Sequence, residues 1–261
     1  MDIVVCIKQV PETTHVDWNP ETGTLMREGV PGVLNPNDKN ALEAGLQLKE
    51  RHGGMITVVS MGPAQAEEAL REALSMGVDQ AILLTDPGFA GADTWATSYT
   101  LSLALKKMGK FDLILCGKET ADAWTGQVGP QLAEFLSLPQ LTYATEIESD
   151  GRAVRIKQRL EDRHRVLECP LPALVTFERN ANRPRIPPMD KIMEAYQKEV
   201  VVWGAKDLGG DKGHFGLKGS PTQTRKVYIK KSERRKVQFL EGEAEKKAQE
   251  FIQILKQKNL F

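Results

Sequence analysis

The sequence predicts a three-layer α/β/α fold around a mainly parallel sheet, with antiparallel additions and a long C-terminal arm. Three observations carry that expectation. Short runs rich in Val, Ile and Leu alternate with longer amphipathic stretches through the first two-thirds of the 261 residues, the pattern of βαβ units. Those runs are apolar on both faces, as strands covered by helices on either side are. Glycine, proline or a capping residue marks most strand-to-helix junctions.

The elements follow in order. Ile3–Lys8 is β-branched and too short for a helix, hence a buried strand. Val16–Glu28 carries Asn19-Pro20 and Thr22-Gly23 between short apolar pairs, which predicts a hairpin or excursion. Asn35-Pro36-Asn37-Asp38 precedes Ala41, Leu42, Leu46 and Leu48, and Gly53-Gly54 ends that helix. Met55–Met61 is the second strand, and Gly62-Pro63 opens a helix through Leu70 and Leu74. Gln80–Thr85 is the third strand, followed by a helix from Gly91-Ala92-Asp93-Thr94 through Leu105. Phe111–Cys116 is the fourth, and Thr125–Gly129 leads into a helix that ends before Pro139.

Beyond Leu141 apolar and polar residues alternate. Thr142–Glu148, Ala153–Leu160, Arg165–Leu167 and Ala173–Phe177 therefore predict half-exposed antiparallel strands. Arg183-Pro184-Arg185-Ile186-Pro187-Pro188 is a stiff turn before a short helix at Ile192–Tyr196. Gly204–Ser220 is glycine-rich with little apolar pattern, an extended or loosely packed arm. Glu243–Leu260 reads as an amphipathic helix. Residues 1–203 thus form one α/β domain, and 204–261 an arm with a terminal helix whose apolar side suits packing on this chain or on a partner subunit equally well.

Composition excludes several classes. Lys and Arg total 35 against 35 Asp and Glu, whereas a dedicated nucleic-acid binder carries a basic excess. The basic stretch Lys218–Lys236 reads as a solvated arm. No apolar run reaches the length of a membrane span. Three scattered cysteines and no basic, apolar leader predict a reducing, cytoplasmic location. No Walker loop, G-x-G-x-x-G, H-E-x-x-H or G-x-S-x-G pattern occurs, so neither a metal site nor a catalytic constellation is expected. His15, His52, His164 and His214 are scattered, as surface residues are.

The chemistry is expected at the carboxyl ends of the parallel strands, where open α/β sheets bind ligands. Four loops there collect small and hydroxyl residues: Cys6-Ile7-Lys8, Ser60-Met61-Gly62-Pro63, Gly91–Ser98 and Gly117–Pro130. The last is long and enters a helix. Helix N–H groups and the dipole's positive end attract phosphate, with Thr120, Asp122, Trp124, Thr125, Gly126, Gln127 and Val128 at hand. Such a site holds a cofactor and leaves the chemistry to it. Ordinary helix capping explains the same residues equally well.

Across nearly its whole length the chain resembles the β subunits of electron transfer flavoproteins. The matching segments are Ile3–Pro11, Asn35-Pro36-x-Asp38-x-x-Ala41, Ser60-Met61-Gly62-Pro63, Gly117–Pro130, Pro172–Thr176, Asn182-Arg183-Pro184-Arg185, Ile192-Met193 and Gly219-Ser220-Pro221-Thr222. The resemblance implies an adenine-nucleotide-binding α/β/α fold whose C-terminal arm wraps an α subunit. It also implies a heterodimer that exchanges electrons with a flavin-dependent dehydrogenase, of the acyl-CoA or hydroxy-acid class. In ordinary members the β subunit buries AMP, and the single FAD lies mainly on α. In electron-bifurcating members FAD replaces that AMP, and a second FAD sits on the α subunit.

Two motifs look like the bifurcating group: Gly91-Ala92-Asp93-Thr94-x-Ala96-Thr97-Ser98 and Asp122-x-x-Thr125-x-Gln127-Val128-Gly129-Pro130. The resemblance carries flavin contacts onto Thr94, Thr97, Asp122, Thr125, Gln127 and Val128, with Asp93 among the cofactor-binding residues. It carries nucleotide positions onto Cys6, Asn35, Asp38 and Met61, with Ile7, Lys8 and Gly62 beside them. It implies electrons from NADH, one passing to ferredoxin or flavodoxin and one to the α-subunit FAD. Ala181, Asn182, Arg183, Pro184 and Arg185 match the loop that docks the dehydrogenase. The chain departs from that group at Ala123-Trp124, where Gly-Asp is common, and at Ala181, where Leu is common. A stand-alone nucleotide-binding regulator on the same sheet has no use for the glycine-rich arm.

Overall fold

A computed structural model of the chain describes residues 1–12, 31–223, 237 and 239–260. The hairpin expected at Val16–Glu28 and most of the basic stretch lie outside the described residues. The chain divides into two compact units, Met1–Lys226 and Val227–Phe261.

In chain order the first unit contains β1 (Ile3–Cys6), β2 (Gln9–Pro11), β3 (Gly32–Leu34), α1 (Pro36–His52), β4 (Ile56–Met61), α2 (Glu67–Ser75), β5 (Gln80–Leu84), α3 (Thr94–Met108), β6 (Leu113–Gly117) and α4 (Val128–Leu136). It continues with β7 (Gln140–Ser149), β8 (Ala153–Arg159), β9 (His164–Pro170), β10 (Ala173–Phe177), α5 (Met189–Gln197), β11 (Val200–Trp203), α6 (Ala205–Leu208) and α7 (Gly216–Gly219). The second unit carries α8 (Ala244–Gln257).

Nine strands form one sheet in the order β11-β5-β4-β1-β6-β10-β7-β8-β9. Neighbours from β11 to β7 are parallel, while β7-β8-β9 is an antiparallel extension. The strand-side alternation explains the layers. Ile3, Val5 and Ile7 pack with Leu42 and Leu46 of α1 and Leu70 and Leu74 of α2 on one face. Val4 and Cys6 pack with Leu101 and Leu105 of α3 and Leu132 of α4 on the other. Both faces are covered, which is why these strands read as unbroken apolar runs.

Two expectations are corrected. Ala173–Phe177 is not a half-exposed antiparallel strand. All five residues of β10 are buried, and the strand lies parallel between β6 and β7. In ALVTF only Thr176 is polar, so the segment does not alternate, as a doubly covered strand does not. Gly204–Ser220 is likewise not loose. Leu208 and Phe215 are buried in the α3–α4 layer, and the Phe215 ring lies 5.2 Å from Phe89 and 5.5 Å from Tyr99. Gly216 serves close packing: with φ of 54°, an added Cβ there would fall 2.2 Å from the Gly88 carbonyl oxygen. β11 was not foreseen; it is a four-residue edge strand (VVVW) beside β5. Among the described residues no helix is long and apolar enough to cross a membrane.

Candidate functional site

The carboxyl ends of β1, β4, β6 and β10 open on one edge of the sheet, and the first turn of α1 lies against them. Asp38 is the junction. Its Oδ2 accepts from the Lys8 N–H at 2.8 Å, and its Oδ1 accepts from the Gly117 N–H at 3.0 Å. One carboxyl thus joins the ends of β1 and β6. Burial pushes its pKa up to about 7, against the opposing pull of Asn35, the two backbone N–H groups and the Lys8 charge. Gly117 is required by this approach: a Cβ there would lie 2.2 Å from Asp38 Oδ1 and 2.8 Å from the Asn37 carbonyl carbon.

The Asn-Pro-Asn-Asp segment also splints the loop after β6. Asn35 Nδ2 and Asn37 Nδ2 donate to the Glu119 carbonyl at 3.0 and 2.9 Å. The Ala121 N–H returns to Asn35 Oδ1 at 3.1 Å. Further along, the N–H groups of Ala123 and Trp124 donate to the Thr120 carbonyl, a tight turn with Trp124 at φ of 53°. Lys8 Nζ donates to both Asp122 oxygens, at 2.8 and 2.6 Å. Trp124 and Thr125 are exposed, whereas Gly126 and Val128 are partly covered. Gln127 precedes α4 without a side-chain cap on the helix N–H groups.

Cys6 and Cys116 face each other in register across β1 and β6, and both are buried. Their mutual hydrogen bond, burial and nearby negative charge push the Cys116 thiol up, so it is an unreactive core thiol. Met61 and Gly62 are partly buried where β4 ends. Two buried polar atoms on the elements framing this crevice have no hydrogen-bond partner: Ser60 Oγ of β4 and Gln131 Oε1 of α4. Such orphans are rare in native structures and call for an explanation.

The Gly91–Ser98 motif joins from the α3 side. Ser98 Oγ donates to the Val128 carbonyl at 3.1 Å, so the amino-terminal turns of α3 and α4 touch. Thr94 and Thr97 are partly buried there. The Asp93 carboxylate is committed to its own fold. It caps α3 through the Ala96 N–H at 3.0 Å, and it accepts from the Thr222 N–H and Oγ1 at 3.0 and 2.7 Å. Burial raises its pKa and these donors outweigh that, holding it below the usual carboxylate range.

A family model described as the electron transfer flavoprotein domain matches residues 22–208. The chain is 50% identical over 230 residues to an electron transfer flavoprotein subunit beta of Clostridium acetobutylicum, covering 88% of each chain. The chain belongs to the electron transfer flavoprotein family. It is also 46% identical over 224 residues to the caffeyl-CoA reductase-Etf complex subunit CarD of Acetobacterium woodii, covering 85% of this chain and 86% of the relative. A Protein FixA of Azorhizobium caulinodans is 46% identical over 236 residues, covering 87% and 84%.

It is an electron transfer flavoprotein β subunit, of the kind that pairs with an α subunit, and the family associates with flavin or nucleotide. The crevice fits such a group. It offers phosphate the start of α4, where no side chain caps the helix N–H groups.

The expected docking loop in this β subunit is largely turned inward. Asn182 pairs with Asn40 of α1, and Arg185 with Glu43. Ala181 packs against the core rather than standing out. Burial raises the Glu43 pKa, and the hydrogen bonds from Arg185 outweigh it and hold the carboxyl below its usual range. What faces outward is Arg183 and an apolar set the sequence reading missed: Ile186, Met189, Met193 and Tyr196 are all exposed. The helical spacing of Met189, Met193 and Tyr196 was a visible signal for it.

Proposed function

We propose that this β subunit holds FAD in the crevice and belongs to an electron-bifurcating electron transfer flavoprotein. The observation that carries this reading is the contact of Ser98 with Val128. It joins the Gly91–Ser98 motif to the Gly117–Pro130 loop, the two segments that look like the bifurcating group, and so supports a single site that draws on both. When bound, the flavin supplies hydride and single-electron chemistry. The chain's own residues hold and orient it. Asn35, Asn37 and Asp38 fix the backbone of 117–121. Lys8 sets the Asp122 carboxylate, and the start of α4 faces the phosphates. Cys6, Ile7, Met61 and Gly62 form the apolar wall, and Thr94, Thr97, Thr125 and Gln127 offer polar contacts toward the ring and chain of the cofactor.

The partners are an α subunit carrying a second FAD, NADH as donor, ferredoxin or flavodoxin as the low-potential acceptor, and a flavin-dependent dehydrogenase, all in the cytoplasm. The relative named for a caffeyl-CoA reductase complex favours a dehydrogenase of the acyl-CoA class, docked on Arg183 and the apolar residues beyond it. The test is to purify the αβ heterodimer, denature it and count the released nucleotides. Two FAD per dimer are expected. One FAD with one AMP overturns the bifurcating reading and leaves an ordinary electron carrier.

A further inference from the structure

The loop before α5 and the loop after β6 hang on the same two turns of α1. Asn40 Nδ2 donates to the Asn182 carbonyl and Oδ1 at 2.8 and 2.9 Å, and Asn182 Nδ2 donates back to the Asn40 carbonyl at 2.9 Å. The Asn180 N–H donates to Asn40 Oδ1 at 3.2 Å. One turn on, Glu43 Oε2 accepts from the Arg185 N–H at 3.0 Å and Nε at 2.9 Å, and Oε1 accepts from Nη2 at 3.0 Å. Asn40 and Glu43 are buried. The turn just before them bears Asn35, Asn37 and Asp38, which hold residues 117–121.

A second connection bypasses the helix. Lys118 Nζ lies 3.3 Å from Glu178 Oε1, and the Lys118 N–H donates to the Phe177 carbonyl at 2.7 Å. Buried amides and carboxylates lower stability unless they are paired. Here the pairing is complete at Asn40, and its effect is to fix a loop rather than to build a core.

We infer that nucleotide in the crevice and dehydrogenase on the Asn180–Tyr196 surface bind with positive cooperativity, through Asn40, Glu43 and Glu178 as positioning residues. A ligand that orders the 117–128 loop pins the first turn of α1 and Lys118. The 178–185 segment then loses less freedom when a partner docks on it. The coupling is reciprocal, as any coupling of two binding equilibria is. The inference rests on the nucleotide site proposed above.

Hydrogen exchange on the αβ heterodimer tests it, first stripped of nucleotide and then reloaded with FAD or with AMP. Loading is expected to slow exchange of the Asn180 and Arg185 amides about fivefold or more, the lower end of ordinary coupling. In Asn40→Ala the nucleotide still binds and the slowing disappears. Should that variant fail to fold, Glu43→Gln and Glu178→Gln are each expected to cut the slowing to less than half. Nucleotide that binds while both amides exchange at an unchanged rate overturns the coupling alone, as does full slowing in the variants. A heterodimer that takes up no nucleotide in this crevice overturns the site reading, and the coupling with it.

Discussion

Asp38 is a carboxyl placed where its charge is unwelcome. Its pKa of about 7 in the folded chain compares with about 3.9 for a free aspartate. The folded state therefore prefers the protonated form. The stability this confers is fully present below about pH 4 and is lost as pH rises through 7. A shift of that size is on the order of 4 kcal/mol. Denaturant titrations at fixed pH should show stability falling between about pH 4 and pH 7, beyond what other groups cause. Asp38→Asn should remove that slope while losing roughly 1 kcal/mol of hydrogen bonding. A wild-type slope that survives in the variant would assign the titration to another group. Lys8 and Asp122 teach a different lesson at this scale. Both stand in loops after strands, where the sequence places its candidate residues. Their pairing was not, because nothing in one sequence joins positions 114 residues apart.

The element scale shows which patterns were readable. The four βα units were legible because their apolar runs and glycine or proline breaks are local. The neighbours of β10 were not, since a parallel partner is reached only through a crossover and leaves no turn to read. β11 escaped notice because VVVW is short and follows a helix without a glycine. In the loop expected to dock a partner, Arg183 is exposed, but its neighbours Asn182 and Arg185 are spent on α1. The fit of β6 against α1 yields a prediction. Gly117→Ala puts a methyl group into Asp38 and the Asn37 backbone. The backbone cannot step aside as a flexible side chain would, so the variant should lose about 1–3 kcal/mol. It should also release nucleotide faster, read as a lowered melting temperature and a lowered flavin-to-protein ratio. An unchanged ratio would mean that the β6 terminus is not part of the site.

On the scale of the whole molecule, the second unit carries an amphipathic helix. Phe251 and Ile252 of α8 are 53% and 45% exposed. Burying such side chains in an interface is worth roughly 1.5–3 kcal/mol each. Phe251→Asp with Ile252→Asp should weaken αβ association at least tenfold by sedimentation, with the far-ultraviolet spectrum of the β subunit unchanged. Equal association would show that this helix does not meet the α subunit.

The strand order has one more outcome, in time rather than space. β1 sits mid-sheet, and β10 lies between β6 and β7, so β7 and its hairpin reach the rest of the sheet only through a strand that comes later in the chain. A nascent chain shorter than Phe177 therefore leaves β6 with a naked flank just where the crevice is to form. Long-range pairings of this kind are slow and expose sticky edges while they wait. Ribosome-bound fragments ending near Leu141 should recruit chaperones, and the proposed nucleotide site is complete only once the final central strand has emerged.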